Sequence, residues 1–375
     1  MKQLIVLLFG AAICGCATSP TGPCAPYAAS DHPLKVGVYA DDGPSGIGAV
    51  EWFRLVRESP EMELRLLDGA AVRAGALDGL DLLVMPGGGS KREFASLGTN
   101  GVEKMKSFIR AGGGYVGTCA GCCLLMDDPD RRARVIPWAS CGSERRTLFP
   151  TFRLNEKGAA ALGLPKGKLV MRYHGGPCMW PTTNVIAGAS FESWGTFDAE
   201  AAMEGKLKVR MHGATAIVGG TYGKGRVFVT SAHPEYFNST LYIVQAAIKW
   251  VTGRRVTFPN RPRKPRALAV GFVSGGIVGV KTAEAALAID AEPDMDLVPI
   301  DADGAGQRRL DHLDVLVLTS ENATKKGAFK DALAGFVARG GKVVGIAGGA
   351  KALPPGGVRG EAGSGVVKTI RGLGI

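Results

Sequence analysis

Short apolar runs alternate with amphipathic stretches along the chain from residue 34 onward. The runs over residues 34–40, 62–67 and 82–85 are continuous enough to predict buried strands. Helices are predicted over 47–58 and 101–111, because apolar residues recur there at the spacing of one helix face. Strands that alternate with helices form parallel sheets with helices on both faces. The pattern therefore predicts an α/β fold with a doubly wound, mostly parallel sheet.

A strand-rich insert follows and interrupts this alternation. Its predicted strands and closing helix cover residues 151–154, 168–173, 185–189, 214–219, 226–230 and 241–251. The first domain as a whole is predicted over 34–252. Residues 253–266 are basic and contain prolines, which is typical of a linker.

The pattern of strands and helices restarts after this linker. Its predicted strands and helix parallel those of the first domain and cover residues 267–273, 313–318 and 329–339. The run at 340–348 aligns with residues 113–120, so that Ala347 takes the place of Cys119. Residues 267–375 are therefore predicted to be an incomplete repeat that lacks the cysteine, with a role in packing, in dimerisation or in covering the first domain's site. An unrelated α/β domain is the alternative.

The first fifteen residues have the composition of a targeting segment. A positively charged start precedes an apolar core at 4–13 that is too short to span a bilayer as a helix. The sequence Cys14-Gly15-Cys16-Ala17 resembles the end of a bacterial lipoprotein signal, with a small residue before the modified cysteine. We predict a signal peptide over 1–15, lipidation at Cys16 and a tether over 16–33. A membrane-anchored protein outside the cytoplasm would result; an ordinary secretory signal is the alternative.

The charge balance bears on possible partners. The 45 Lys and Arg residues outnumber the 34 Asp and Glu residues, so the formal net charge is +11. Such a charge suits contact with an anionic membrane surface or an acidic polymer. The basic residues are scattered and no base-stacking aromatic motif accompanies them, which argues against a nucleic-acid partner.

The chain has eight cysteines. In an oxidising compartment cysteines pair, and Cys141 with Cys178 is one candidate pair, although the sequence leaves the connectivity open. The spacing of Cys119 and Cys122 occurs at zinc sites, but no second pair follows at a suitable distance along the chain. Neither a metal nor a cofactor is therefore predicted.

The most informative stretch is Gly117-Thr118-Cys119-Ala120-Gly121, where a predicted strand meets an apolar segment. Glycines on both sides of a nucleophile allow the sharp turn that projects it from the carboxyl edge of a sheet. A later apolar run ends at His233-Pro234-Glu235. Because a thiol needs a base to ionise it and the base needs an acid to orient it, these three side chains suggest a catalytic triad. The alternatives are an inert buried thiol, a histidine that caps a loop and a surface carboxylate.

These motifs and the turn Pro86-Gly87-Gly88-Gly89 together resemble the class I glutamine amidotransferase-like superfamily. Residues 114–121 and the segment Tyr173-His174-Gly175-Gly176-Pro177 look most like the domain at the N-terminus of biotin-protein ligases. The resemblance covers roughly residues 34–252, and more faintly 267–350, and it implies a flavodoxin-like sheet.

The resemblance also implies roles for individual residues. It makes Cys119 the nucleophile, His233 its base and Glu235 the residue that orients the base. The backbone N–H groups of Gly88 and Ala120 would form an oxyanion hole. Three further residues would line the pocket: Tyr173, Gly175 and Gly176.

The rest of the chain limits the functions that the resemblance allows. No synthase domain and no biotin-ligase catalytic domain is visible in the sequence. We therefore expect an extracytoplasmic thiol hydrolase that acts on an amide bond of a small or peptide-like substrate. A non-catalytic ligand-binding or scaffold lipoprotein of the same fold is the alternative. An amidotransferase subunit with a separate partner is a third reading, and the oligomeric state stays open.

Overall fold

The computed structural model describes residues 32–43, 46–128, 133–144, 147–198, 209–260, 264, 267–273, 279–300, 310–321 and 327–375. The predicted signal peptide, Cys16 and most of the tether lie outside these residues. Within the described ranges, no helix combines the length and the apolar character that crossing a membrane requires.

The first part of the chain alternates strands and helices as predicted. Its elements are β1 (Leu34–Tyr39), α1 (Gly46–Glu58), β2 (Met62–Leu67), α2 (Gly69–Arg73), β3 (Leu82–Met85), α3 (Ser90–Ala111), β4 (Gly114–Thr118) and α4 (Ala120–Leu125). The four strands are parallel and lie in the order β2-β1-β3-β4. This order places the carboxyl ends of β3 and β4 side by side.

The insert extends the same sheet with antiparallel strands. Its elements are β5 (Trp138–Ser140), β6 (Thr151–Leu154), α5 (Glu156–Leu162), β7 (Gly167–Val170), β8 (Met179–Pro181), β9 (Ala189–Phe197), β10 (Thr215–Tyr222), β11 (Gly225–Thr230) and α6 (Leu241–Thr252). Strand β11 pairs parallel with β4 and antiparallel with β10, so it joins the parallel half to the antiparallel half. The described part of this sheet has 11 strands.

The last part of the chain forms a second, smaller sheet. Its elements are β12 (Leu268–Val273), α7 (Val280–Ala291), β13 (Met295–Ile300), β14 (Val315–Leu318), α8 (Gly327–Ala338), β15 (Lys342–Gly345), β16 (Val358–Arg359) and α9 (Gly365–Arg371). All pairings in it are parallel, in the order β13-β12-β14-β15-β16. The first four strands thus repeat the order β2-β1-β3-β4.

Apolar side chains cover both faces of the first sheet. On one face, Trp52 and Phe53 of α1 and Ile248 of α6 are fully buried. On the other face, Met105 and Ile109 of α3 are fully buried. Helices therefore cover both faces of the parallel half of this sheet, which confirms the predicted doubly wound α/β fold. The antiparallel insert makes the whole sheet mixed and not mostly parallel as predicted.

The predicted elements differ from the observed ones mainly in the insert. The strand predicted over 185–189 is wrong, because β9 begins only at Ala189. The strand predicted over 168–173 ends at Val170, and Tyr173 forms only an isolated bridge with Leu148. The helix predicted over 101–111 begins earlier, at Ser90, and continues across a kink at Gly98.

The two sheets also share local geometry at matching positions. Cys119 and Ala347 have nearly equal positive φ angles, 53° and 47°, which non-glycine residues rarely adopt. A Cβ added to Gly117 would lie 2.7 Å from the carbonyl oxygen of Gly121, and one added to Gly345 would lie 2.7 Å from that of Gly349. Ala347 therefore occupies the backbone position of Cys119 without its thiol. The domain boundaries drawn from the sequence stay predictions.

Candidate active site

Cys119 lies at the turn between β4 and α4. Its backbone has φ 53° and ψ −103°, and its N–H donates to the carbonyl oxygen of Thr230 at 2.9 Å. The turn is compact because a Cβ on Gly121 would overlap the carbonyl oxygen of Met85, so only glycine fits there. The cysteine is thus held in a strained backbone conformation at the carboxyl edge of the sheet, as the G-x-C-x-G motif predicts.

His233 follows β11, and because β11 is the parallel neighbour of β4, the histidine comes to the same edge as Cys119. A Cβ added to Gly87 would lie 2.6 Å from Cε1 of His233 and 3.1 Å from Cβ of Cys119. Both side chains therefore pack against the glycine turn that follows β3. The backbone N–H of His233 donates to the carbonyl oxygen of Arg172 at 2.8 Å, which fixes the start of this segment.

Glu235 is hydrogen-bonded to His233. The distance between Nδ1 of His233 and Oε1 of Glu235 is 2.8 Å, and both side chains are buried. The second carboxylate oxygen, Oε2, is buried and has no hydrogen-bond partner among the residues that the structure describes. Because Nδ1 faces the carboxylate, Nε2 is left as the ring nitrogen that can serve the thiol.

Opposing effects set the charge of His233. Burial lowers its pKa, but the charges of Glu235 and Cys119 and the hydrogen bonds to both outweigh burial and raise the pKa to about 10. The ring is therefore an imidazolium at neutral pH. The positive charge of the ring thus lies between the Glu235 carboxylate and Cys119.

Helix α1 and β4 close over the back of Glu235. A Cβ on Gly48 would lie 2.5 Å from Oε1 of Glu235 and 3.2 Å from Nδ1 of His233. The hydroxyl of Thr118 lies 3.5 Å from the same Oε1, and the Trp52 indole N–H donates to that hydroxyl at 3.4 Å. The carboxylate is thus enclosed by apolar and weakly polar groups that keep it directed toward the histidine.

His174 approaches Cys119 from the insert. Sγ of Cys119 lies 3.5 Å from the carbonyl oxygen of His174, while the His174 ring pairs with the hydroxyl of Thr147 at 3.1 Å. No role was predicted for the His174 side chain. The contact with Sγ is made by the backbone carbonyl, which any residue at this position would supply. Its place beside the Gly175-Gly176 turn was the available signal.

Tyr173 supports the glycine turn that follows it, and its place in the pocket lining stays a prediction. Its side chain is fully buried, and its hydroxyl donates to the carbonyl oxygen of Gly176 at 2.6 Å and accepts from the N–H of Glu144 at 3.0 Å. Burial raises its pKa far above the ordinary value. A Cβ on Gly176 would overlap the carbonyl oxygen of Ser231. Tyr173 therefore fixes the glycine turn against the segment that leads to His233.

Replacing Tyr173 with phenylalanine is expected to destabilise the protein by about 1–3 kcal/mol, because two buried backbone groups lose their partner. Chemical denaturation of the two proteins measures this difference. Tyr242→Phe is the control, since Tyr242 is exposed and its change should stay within about 0.5 kcal/mol. Equal stability of the Tyr173 variant and the parent would contradict the structural role.

The two proposed oxyanion donors lie next to residues that contact the thiol. Gly88 follows Gly87 in the turn after β3 and has a φ of 156°, and Ala120 follows Cys119 as the first residue of α4. The first N–H groups of a helix have no partner within that helix. Gly88 thus adjoins the glycine that packs on Cys119 and His233, and Ala120 adjoins the nucleophile itself, so both N–H groups stay proposed oxyanion donors.

Other sequence features have structural explanations. The backbone N–H of Cys141 donates to the carbonyl oxygen of Cys178 at 2.9 Å, but no disulfide links the two residues in the structure. Within the described ranges, His, Cys, Asp and Glu side chains form no group that could hold a metal ion. Cys122 is buried in the core beside Met179.

The Cys119 side chain is nearly closed off, and its residue is 5% exposed. A cleft of about 910 Å³ lies at the opposite, amino-terminal edge of the sheet, beside Leu34 and Gly113. A second cleft of about 790 Å³ lies behind Glu235, between α1 and the second sheet. Cys119 lines neither of these two clefts.

Residues 78–124 match the family described as biotin-protein ligase, N-terminal. The matched segment contains β3, the glycine turn after it, α3, β4 and Cys119, and it ends within α4. The resemblance to the domain at the N-terminus of biotin-protein ligases is confirmed over these residues. His233 and Glu235 lie outside the match. No curated protein sequence matches the chain.

Several solved structures are similar to this chain. A ThuA-like protein from Bacteroides uniformis is 9% identical, with 61% of this chain and 96% of that chain covered and a TM-score of 0.46. PurLQS from Thermotoga maritima is 14% identical, with 58% and 99% covered and a TM-score of 0.40. A glutamine amidotransferase from Thermotoga maritima is 15% identical, with 58% and 83% covered and a TM-score of 0.37.

These scores are below 0.5, so the sheet order of this chain is the stronger evidence for its fold.

Proposed function

We propose that this chain is a thiol hydrolase of the amidotransferase type that cleaves an amide bond through Cys119, His233 and Glu235. The observation that carries the proposal is the meeting of the three groups at one sheet edge. Cys119 and His233 both pack on Gly87, and His233 is bonded to Glu235 at 2.8 Å. An activated thiol, a base and an orienting acid are the groups that nucleophilic acyl transfer needs.

The reaction proceeds in two steps. The Cys119 thiolate attacks the amide carbonyl carbon, a C–S bond forms, and the carbonyl electrons move to oxygen, where the N–H groups of Gly88 and Ala120 stabilise the charge. The His233 imidazolium donates its proton to the departing nitrogen, and the C–N bond breaks to leave a thioester. Neutral His233 then takes a proton from water, whose oxygen attacks the thioester and releases the acid and the thiolate.

We also propose that the reaction takes place outside the cytoplasm. This proposal rests on the apolar N-terminal segment and on Cys16, where a lipid would anchor the chain to a membrane. The substrate would then be a small or peptide-like amide of the cell envelope. An amide of that kind needs no synthase domain to accept its nitrogen.

A non-catalytic scaffold of the same fold is the second candidate. The observation that favours it is Ala347, which keeps the strained backbone of the cysteine position but has no thiol. The second sheet therefore retains the turn without the chemistry. The first sheet would have a scaffold role only if Cys119 is unreactive.

Amide turnover by the parent protein and by Cys119→Ala tests the proposal. Glutamine, γ-glutamyl p-nitroanilide and a short peptide amide serve as probes, with product release and the intact mass of a trapped thioester as measurements. Loss of the nucleophile is expected to lower turnover by about 10³-fold or more, and the thioester mass should disappear. Cys123→Ala is the matched control, since Cys123 lies one helical turn further on and is only half-buried.

Equal turnover by the parent and Cys119→Ala would refute the proposal. Binding of a probe with no turnover and no thioester would favour the scaffold. Release of ammonia from glutamine only in the presence of an added acceptor protein would identify an amidotransferase subunit.

A further inference from the structure

The two sheets pack through matching elements. Helix α1 contacts both α7 and β13, and α7 contacts β2. By strand order, α7 is the counterpart of α1 and β13 is the counterpart of β2. Each sheet therefore contacts the other through the corresponding helix and the corresponding edge strand. This reciprocal arrangement is the one found at the two-fold interface of a symmetric dimer.

A buried ion pair joins the two matching helices. On α1, Nε of Arg54 lies 3.0 Å from Oδ1 of Asp290, and Nη2 of Arg57 lies 2.5 Å from Oδ2. The Asp290 side chain is 4% exposed, and Arg57 also donates to the carbonyl oxygen of Leu287. One carboxylate of α7 thus holds two guanidinium groups of α1, and removing it would take the carboxylate partner from Arg57 and leave Arg54 with Glu51, 3.0 Å away.

The helix that Asp290 holds also forms the back of the candidate active site. Gly48, in the first turn of α1, packs on Oε1 of Glu235 and Nδ1 of His233. Arg54 lies six residues further along the same helix, a rise of about 9 Å. A shift of α1 at Arg54 is therefore transmitted to Gly48, because a short helix moves as a rigid body. The second sheet and the His233–Glu235 pair are linked through one element.

We propose that residues 267–375 act as a built-in subunit partner. They occupy the face of α1 and β2 that a second copy of the first domain would take in a symmetric dimer, and by holding α1 they position His233 and Glu235. This role explains why a repeat without a thiol keeps the fold. The docking rests on contacts alone, whereas the effect on His233 and Glu235 rests on the proposed function.

Asp290→Arg in the full chain tests the proposal, because it places a third positive charge beside Arg54 and Arg57. Hydrogen exchange of α1 amides is expected to accelerate by about tenfold or more. The pH profile of Cys119 alkylation should shift toward that of a variant without His233. Asp311→Arg is the matched control, since Asp311 pairs with Arg339 on the exposed surface of the same sheet. The double variant Asp290→Arg/Arg57→Asp should restore slow exchange in α1.

Light scattering of the parent chain is expected to give a monomer, because the dimer face is already occupied. Asp290→Asn, which keeps the side-chain volume, serves if Asp290→Arg does not fold. Unchanged α1 exchange in both variants would overturn the docking role. Faster α1 exchange with an unchanged alkylation profile would overturn the positioning role. If Cys119 of the parent proves unreactive, the proposed function fails, while the exchange measurement still decides the docking.

Discussion

Replacement of His233 with alanine is expected to slow alkylation of Cys119 by iodoacetamide at pH 7 by about 10- to 50-fold. An ordinary cysteine is only a few per cent thiolate at that pH, and the thiolate is the form that reacts. In the parent protein the His233 ring is charged, because Glu235 and Cys119 raise its pKa to about 10 despite its burial. Removing this charge removes the main support for the thiolate.

The pH dependence gives the sign of the effect. Below a pH of about 10 the His233 ring of the parent keeps its proton, so its positive charge stays beside Cys119 throughout the neutral range. As the pH rises through about 10, the ring loses its charge, and a thiol without support ionises by itself. The difference between parent and variant should therefore be largest near neutrality and disappear above pH 10. Peptide mass spectrometry of Cys119 between pH 5 and pH 10.5 measures it.

His174→Ala provides the matched control for this experiment. His174 also lies beside the thiol, but only its backbone carbonyl contacts Sγ, and its ring pairs with Thr147. Its loss should leave the alkylation profile of Cys119 close to that of the parent. The exposed Cys141 reports any general change in reagent or fold within the same sample. Identical profiles for the parent and His233→Ala would mean that the histidine does not activate the thiol.

The core of the fold and the edge that carries the site could be predicted from the sequence. The parallel strands are short, continuous apolar runs, and β2 and β3 have the predicted bounds. Glycine on both sides of Cys119 indicated the turn, because no other residue fits the close approach of Gly121 to Met85. Strand order then brings His233 to the same edge, since β11 and β4 are neighbours.

The insert could not be predicted in the same way. Strand β9 contains glycine, serine and several half-exposed residues, and its position depends on pairing with β10 across a bulge. Tyr173 has the residue type expected of a pocket wall, but its hydroxyl is used by the backbone of Gly176 and Glu144. Which side of the chain a tyrosine faces is a property of the tertiary contacts and not of its local sequence.

The contact of α1 with the His233–Glu235 pair could not be predicted from the sequence either. Gly48 is one of 55 glycines in the chain, and nothing near it in sequence marks it as a neighbour of Glu235. By contrast, the correspondence of Ala347 with Cys119 could be predicted, because both follow a glycine pair and a short strand that contains valine and glycine. Local patterns thus revealed the turns, and the long-range neighbours required the structure.

Gly87→Ala is expected to disrupt the proposed site almost as strongly as loss of His233. The added Cβ would lie 2.6 Å from Cε1 of His233 and 3.1 Å from Cβ of Cys119, closer than atoms approach without displacement. The histidine ring is the part that can move, so the ring and the thiol are expected to separate. Alkylation of Cys119 at pH 7 should fall by about tenfold or more, because the thiolate loses the adjacent positive charge.

Gly89→Ala separates this contact effect from a general effect of alanine in the turn. The φ angle of Gly89 is −110°, and a Cβ there would meet only Arg92, at the ordinary distance of 3.5 Å. Because Gly89 is the N-cap of α3, its replacement should cost less than about 1 kcal/mol of stability and leave the alkylation rate unchanged. Both glycines belong to the same turn, so a rate that falls only in Gly87→Ala locates the effect at the contact between Cys119 and His233. Equal rates in the two variants would show that the thiol does not depend on that contact.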